Sequence, residues 1–302
     1  AALRQTQNKD AAAVANIRER FVAGEESLRE RMPAVKVVYN NDLRIPEIIG
    51  QDVLKARTML SRATDEKRAD TLKRFLRENA SLVGTTDQQI DDLKVFADYM
   101  NPAGNMAFVE LTQDIGGVPV FRGELKAGFT ASGELFRIVN NLAPGVDASS
   151  LSSDFGSSDD AVRAAHQYIK RDFDAASQPR NQQLTTELKA VYGSGDWATT
   201  AEKMYFPTEP GVVVPSWRVL IWEPVAAYYV IVDARTGTML WRKNISEDQT
   251  QAATYHVYQN PNAMINAADS PFPLTPGPVS PNGQQGTAIP RTAITRIGNE
   301  AP

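Results

Sequence analysis

The sequence predicts an α+β protein built as two helix-on-antiparallel-sheet modules followed by a Pro-rich extended tail. Three observations point there. Amphipathic runs of helical spacing alternate with runs of period two, the period-two runs are separated by Gly-rich turns, and from about Gln251 the composition shifts to Pro, Gly and Ser with few charges. With 302 residues, 42% apolar and 23% charged, the balance is globular and the length suits about two domains. The expected divisions are 1–34, a helical segment; 35–145, the first module; 146–157, a linker; 158–247, the second module; and 248–302, the tail.

Each element has a local reason. Val14, Ile17, Phe21 and Leu28 fall near one face of a charged run, predicting a helix over 10–31, and "AVKVVYN" then alternates as a strand, with Pro46 and Gly50 as punctuation. Leu72, Phe75 and Leu76 stand together on a second helix over 65–80, and Thr86 with Gln89 forms a capping-box pattern opening a third. In "QDIGGVPVFRGELKAGFTASGELFRIVNN", residues 113–141, Gly116-Gly117 permits a tight hairpin, Ser132-Gly133 a second turn, and Phe121, Leu125, Ala127 and Phe129 are expected on one face behind Val109 and Leu111. After the linker, Ser158 is placed to cap a helix carrying Val162, Ala165, Ile169 and Phe173. "LTTELKAVY" reads as polar and helix-like; "SWRVLIWE", "AYYVIVDA" and "GTMLWRKNI" read as strands, with Gly237 of "DARTG" in a left-handed turn position. The tail "SPFPLTPGPVSPNGQQGTAIP" is too polar to build a core of its own.

Composition removes several kinds of chemistry. A net charge of −4 argues against a basic nucleic-acid footprint, and the absence of Cys removes disulfides, thiol nucleophiles and Cys-type zinc sites. No apolar run reaches the ~18–20 residues of a bilayer span, and "AALRQTQNKD" is not a signal peptide, so a soluble chain is expected. His166 and His256 are far apart with no H-E-x-x-H, and each reads as a core or edge histidine before a ligand. There is no G-x-S-x-G elbow, and a Ser-Lys pair is unmarked. "GSGDWA", 193–198, matches G-x-G-x-x-A formally but follows no buried strand and reads as a loop. The pairs Asp91-Asp92 and Asp159-Asp160 read as helix starts. Trp217, Trp222, Trp241, Tyr228 and Tyr229 could form a sugar or peptide platform, although core and cross-strand packing is the commoner use of such residues. The sequons at Asn79 and Asn244 matter only in a eukaryotic secretory protein. No catalytic, cofactor-binding or metal-binding residue is therefore expected in this chain.

A family resemblance sits in the hairpin stretch. "ELTQDIGGVPVFRGELKAGFTASGELFRIVNNL" resembles the fungalysin/thermolysin propeptide motif, matching it at Gln113, Gly117, Val118, Pro119, Val120, Gly133 and Asn141-Leu142. "YYVIVDARTGTMLWRKNI" resembles a PepSY-type segment with Asp233, Thr236 and Gly237 at its turn. "ATYHVYQNP" and "DSPFPL" are similar to the junction and early mature region of fungalysin-type metallopeptidases, so the resemblance runs from about residue 35 to the end.

The resemblance implies cystatin-like and PepSY-like modules that form a secreted, non-catalytic prosegment, an intramolecular chaperone and inhibitor of a zinc metalloendopeptidase. Its partner would be the cognate catalytic domain, in cis or after cleavage, with no nucleic acid and no membrane span. Zinc, with calcium as a further candidate ion, would belong to that domain, because the H-E-x-x-H motif is missing here. Processing would fall in the junction Asn244, Ile245, Ser246, Glu247, Asp248, Gln249, Thr250 and Gln251, and contacts would come from the hairpin 106–140 and the strands leading into Ile245. Two alternatives remain open at this level: a standalone secreted or cell-surface protein-binding module of the same fold, and a hydrolase with an unmarked site.

Overall fold

A computed structural model describes residues 11–52, 54–56, 58–223 and 226–246, with four short strands further along. The architecture is mixed α+β, a large sheet with few helices. Ala1–Lys243 is one compact unit and Asn244–Pro302 another.

Helix α1 (Ala11–Arg31) buries Val14, Ile17, Phe21, Gly24 and Leu28, the stripe expected from their spacing. Strands β1 (Val35–Tyr39) and β2 (Pro46–Gln51) form an antiparallel pair. The Pro and Gly that punctuate the sequence here open and lie within a strand, because Pro at a strand's first position costs no ladder bond. Helix α2 (Arg68–Glu78) buries Leu72, Phe75 and Leu76, and the one-turn α3 (Ala80–Val83) follows it. Gly24 of α1 lies against α3, where a Cβ would stand 2.3 Å from the Leu82 nitrogen. Helix α4 (Asp87–Asp92) opens with the expected capping box, Gln89 N donating to Thr86 Oγ1 and Thr86 N to Gln89 Oε1. Asp91 and Asp92 close this helix instead of starting it; Arg77 pairs with the Asp91 carboxylate and the Lys73 ammonium donates to the Asp91 carbonyl, offsetting an anion at the unfavourable dipole end.

Strands β3 (Lys94–Met100), β4 (Met106–Ile115), β5 (Val118–Thr130) and β6 (Leu135–Asn140) are antiparallel neighbours in the order β3-β4-β5-β6, and β6 continues to β2 and β1. Ile115 faces Val118 across a two-residue turn in which Gly116 and Gly117 have φ of 59° and 83°, the hairpin geometry expected of them. Leu125, Ala127 and Phe129 join Val109, Leu111, Leu72 and Phe75 in one hydrophobic cluster.

Phe121 does not share their face. Arg122 takes φ 54° and the β4–β5 register slips between Thr112 and Asp114, a bulge that breaks the alternation. Phe121 instead stacks on Phe206 at 5.2 Å and meets Trp241 at 5.1 Å, with the Arg122 guanidinium over the Phe121 and Trp241 rings at 5.3 and 5.4 Å.

In the segment 146–157 most residues are exposed, but Val146 and Phe155 are buried, and Trp217 Nε1 donates to the Phe155 carbonyl at 2.6 Å. Helix α5 (Ser158–Tyr168) is capped by Ser157, one residue earlier than expected, its Oγ accepting from Asp159 N and Asp160 N. Ser158 is buried and its Oγ accepts a hydrogen bond from the Tyr192 hydroxyl at 2.8 Å. Val162 and Ala165 face inward with Ala161, and Phe173 lies past the helix against Tyr192. "LTTELKAVY" is not helical at its end, for β7 (Lys189–Tyr192) pairs antiparallel with β8 (Thr199–Glu209). Beyond β8 come β9 (Val212–Glu223), β10 (Ala226–Asp233) and β11 (Met239–Asn244). This half buries a second cluster including Val162, Ala201, Trp217, Val219 and Val230.

Strand β5 also pairs with β8, in parallel, at Val120 and Tyr205, so one strand path runs through both clusters. In the tail, Ala253–Thr254 pairs with Thr295–Arg296 and Tyr258–Asn260 with Thr287–Ala288.

Two glycines separate turn strain from steric exclusion. Gly133 has φ 79° and a Cβ there would lie 2.0 Å from the Thr64 carbonyl oxygen, whereas Gly116 has φ 59° in open space. Gly133→Ala should lower unfolding free energy by more than about 2 kcal/mol and Gly116→Ala by about 1 kcal/mol in urea titrations. Equal effects would contradict the close approach.

Candidate functional site

The residues singled out by sequence divide into a structural seam and a turn. Gln113 is buried and clamps the connector after β6 in both directions: its Nε2 donates to the Ala143 carbonyl at 3.1 Å, and Ala143 N donates to its Oε1 at 2.8 Å. Gly117 N donates to Asp114 Oδ1, fixing the hairpin tip from which Val118, Pro119 and Val120 run toward the second cluster; Val120 is buried in it. Gly123, which sequence reasoning did not single out, has no room for a side chain, since a Cβ would lie 2.8 Å from that of Val120. Asp233 holds the β10–β11 turn by accepting from Arg235 N and Thr236 N, both at 2.9 Å, and Gly237 takes φ 66° as expected. These positions build the frame and carry no reactive arrangement.

Of the junction, Asn244 Oδ1 accepts from Ser246 N and Oγ in a local turn where β11 ends, with Ile245 between them. Glu247, Asp248, Gln249, Thr250 and Gln251 lie outside the described residues, as does His256.

His166 is 3% exposed on α5; its Nδ1 lies 2.8 Å from the Val162 carbonyl and its ring packs on Phe173. It is a satisfied interior histidine. Among the described residues no group of three or more His, Asp or Glu is placed to hold a metal, and no helix is long and apolar enough to cross a membrane. The aromatic set does not form one platform. Trp217 is core, Trp241 joins Phe121, Tyr229 lies under the Arg218 guanidinium at 5.2 Å, and Trp222 meets Trp197 on the surface. Asn79 is buried, donating to the Phe75 carbonyl and accepting from Arg31, so its sequon is closed in the folded chain.

The feature with the clearest capacity to bind is β3. Among the described residues it pairs only with β4, leaving an edge, and nearly every residue on both its faces is exposed. Val95, Phe96, Tyr99 and Met100 project from it, Phe96 being 73% exposed, and Met106 at the start of β4 adds to the patch. The two charges of the strand are each paired at the surface, Lys94 with Asp114 at 2.5 Å and Asp98 with Arg68 at 2.7 Å. An edge with free backbone groups and apolar side chains on both faces can accept another strand: the main chain supplies hydrogen bonds and the side chains supply buried area.

No family model matches the sequence, and no curated protein matches it. Among solved structures, the chain is similar to the Bacillus megaterium YpeB C-terminal domain, with a TM-score of 0.29 and 9% identity over 76% of this chain and 97% of that one. A similarity this shallow assigns no activity.

Two outcomes test the frame. Gln113→Ala leaves the buried Ala143 N–H without a partner, while the Ala143 carbonyl keeps the Gln89 Nε2 donor, and should cost about 1–3 kcal/mol of stability in chemical denaturation. Burial holds the His166 imidazole below its usual range, opposed by the Val162 carbonyl and the Glu223 charge. Below about pH 6.5 the unfolded chain takes up a proton that the folded chain resists, so stability falls with pH there, by up to about 1.4 kcal/mol per unit from this group. His166→Leu should flatten that slope between pH 7 and 5; an unchanged slope would contradict the assignment.

Proposed function

We propose that this chain is a non-catalytic prosegment that folds with and inhibits a secreted, fungalysin-type zinc metallopeptidase. It docks by offering β3 to an extended segment of that enzyme's catalytic domain. The observation that carries the reading is the exposed apolar edge of β3, beside the hairpin whose residues resemble the propeptide motif. Burying a Phe or Met side chain contributes about 1.5–3 kcal/mol, so Phe96, Tyr99 and Met100 together suffice for a specific contact without any metal or titrating group. Covalent attachment before processing would raise the effective concentration, so that modest contacts hold the active cleft closed; cutting in the 244–251 junction removes that advantage. Zinc chemistry belongs to the partner in this reading, and the two-module organisation would separate a docking half from a half that leads to the scissile segment.

The purified chain, titrated into a fungalysin-type zinc endopeptidase stripped of its own prosegment, should inhibit casein hydrolysis. Phe96→Asp and Tyr99→Asp should each weaken inhibition by about tenfold or more; Phe96→Asp should do so without lowering thermal stability, because that side chain is solvent-facing, whereas Tyr99→Asp also loses the Phe108 ring contact. Absence of inhibition, inhibition indifferent to both substitutions, or chelator-sensitive turnover by the chain itself would overturn the proposal.

A further inference from the structure

The surface around Trp197 is built from other elements than the β3 edge and plays no part in the docking proposal. Trp197 lies in the loop between β7 and β8 and is 71% exposed, an unusual position for the largest apolar side chain. The loop is tied down. Gly193 and Gly195 turn it with φ of 83° and 74°, Gly193 N donates to the Pro179 carbonyl at 2.9 Å, Asn181 Nδ2 donates to the Gly193 carbonyl at 3.3 Å, and Thr199 Oγ1 donates to Gln178 Oε1 at 2.8 Å. These bonds hold the loop against segment 178–182 and leave a cavity of about 930 Å³ that both line, with Trp222 of β9 as a further wall.

The chemistry of the walls is mixed in a specific way. The Trp197 and Trp222 rings meet at 90° with centroids 5.1 Å apart, giving two apolar surfaces at a corner. Arg180, Gln182 and Ser194 line the same cavity. Among the described residues the Arg180 guanidinium has no carboxylate partner, and the side chains of Gln182 and Ser194 make no hydrogen bond. A pyranose ring matches this: its C–H face is apolar and packs on an indole, and its ring-edge hydroxyls donate and accept toward planar polar side chains. A protein hot spot would surround the Trp with an apolar core, whereas this site is concave and polar around its aromatics.

We propose that the Trp197–Trp222 cleft binds a neutral pyranose oligosaccharide, the indoles stacking on sugar rings and Arg180, Gln182 and Ser194 bonding their hydroxyls. The test is a titration of the full chain with maltotetraose, cellotetraose and tetra-N-acetylchitotetraose, followed by tryptophan emission. At least one should give a saturable change, with binding weakened about tenfold or more in Trp197→Ala, largely kept in Trp197→Tyr, and unaffected by Phe96→Asp. No saturable change with any of the three, or affinity retained in a folded Trp197→Ala chain, would overturn the proposal. So would concentration-dependent self-association that Trp197→Ala abolishes, since it would make the indole a protein contact.

Discussion

Strand β5 has to close two hydrophobic clusters at once. At its start Val120 packs with Trp217 and Val219; further on, Leu125, Ala127 and Phe129 pack with Leu72 and Phe75. A strict period of two cannot carry a strand from one cluster to the other, because it would aim Phe121 at the same side as Leu125. The chain breaks period instead. Arg122 adopts a left-handed backbone, Gly123 removes the side chain that would strike Val120, and the opposing strand slips at Gln113, whose amide is then free to clamp Ala143. Backbone strain of this kind costs about 1–3 kcal/mol, and it persists here because the clamp and the aromatic stack of Phe121, Phe206 and Trp241 both enforce it.

This shared strand is why the binding features lie away from the centre. Around β5 the Gln113 amide is paired with Ala143 and the Lys126 ammonium with Glu110 and Glu124. What remains open is at the periphery, where β3 presents apolar side chains on both faces with no element among the described residues to cover them. Such an edge invites aggregation unless charge or a partner protects it, and the edge charges Lys94 and Asp98 are already committed to Asp114 and Arg68. A partner strand resolves the conflict, and the resolution needs surface complementarity alone.

Much of the fold was legible where the determinant is local. The stripe of α1, the Thr86–Gln89 capping box, the Gly116-Gly117 hairpin and the Asp233–Gly237 turn are each set by a few adjacent residues, and each stands where its pattern places it. The rest depends on distant partners. Strand β3 is exposed on both faces, so it shows no alternation to read. Strand β7 ends a stretch rich in helix formers and is held as a strand by β8, while Phe121 leaves its expected face at a bulge next to the Val120–Tyr205 pairing. The Ser157 cap and the closing position of Asp91-Asp92 differ from expectation through boundary shifts of short helices, which local spacing defines poorly. The wall residues of the Trp197 cleft come from three stretches that meet only in the fold.

In the proposed complex, β3 is the strand that meets the peptidase. Peptide-resolved hydrogen exchange, comparing the free chain with its complex with a fungalysin-type catalytic domain, addresses this directly. The account predicts slowed exchange over Lys94–Met100 with little change in β9 and β10. A complex that forms while Lys94–Met100 exchanges as fast as in the free chain would contradict it.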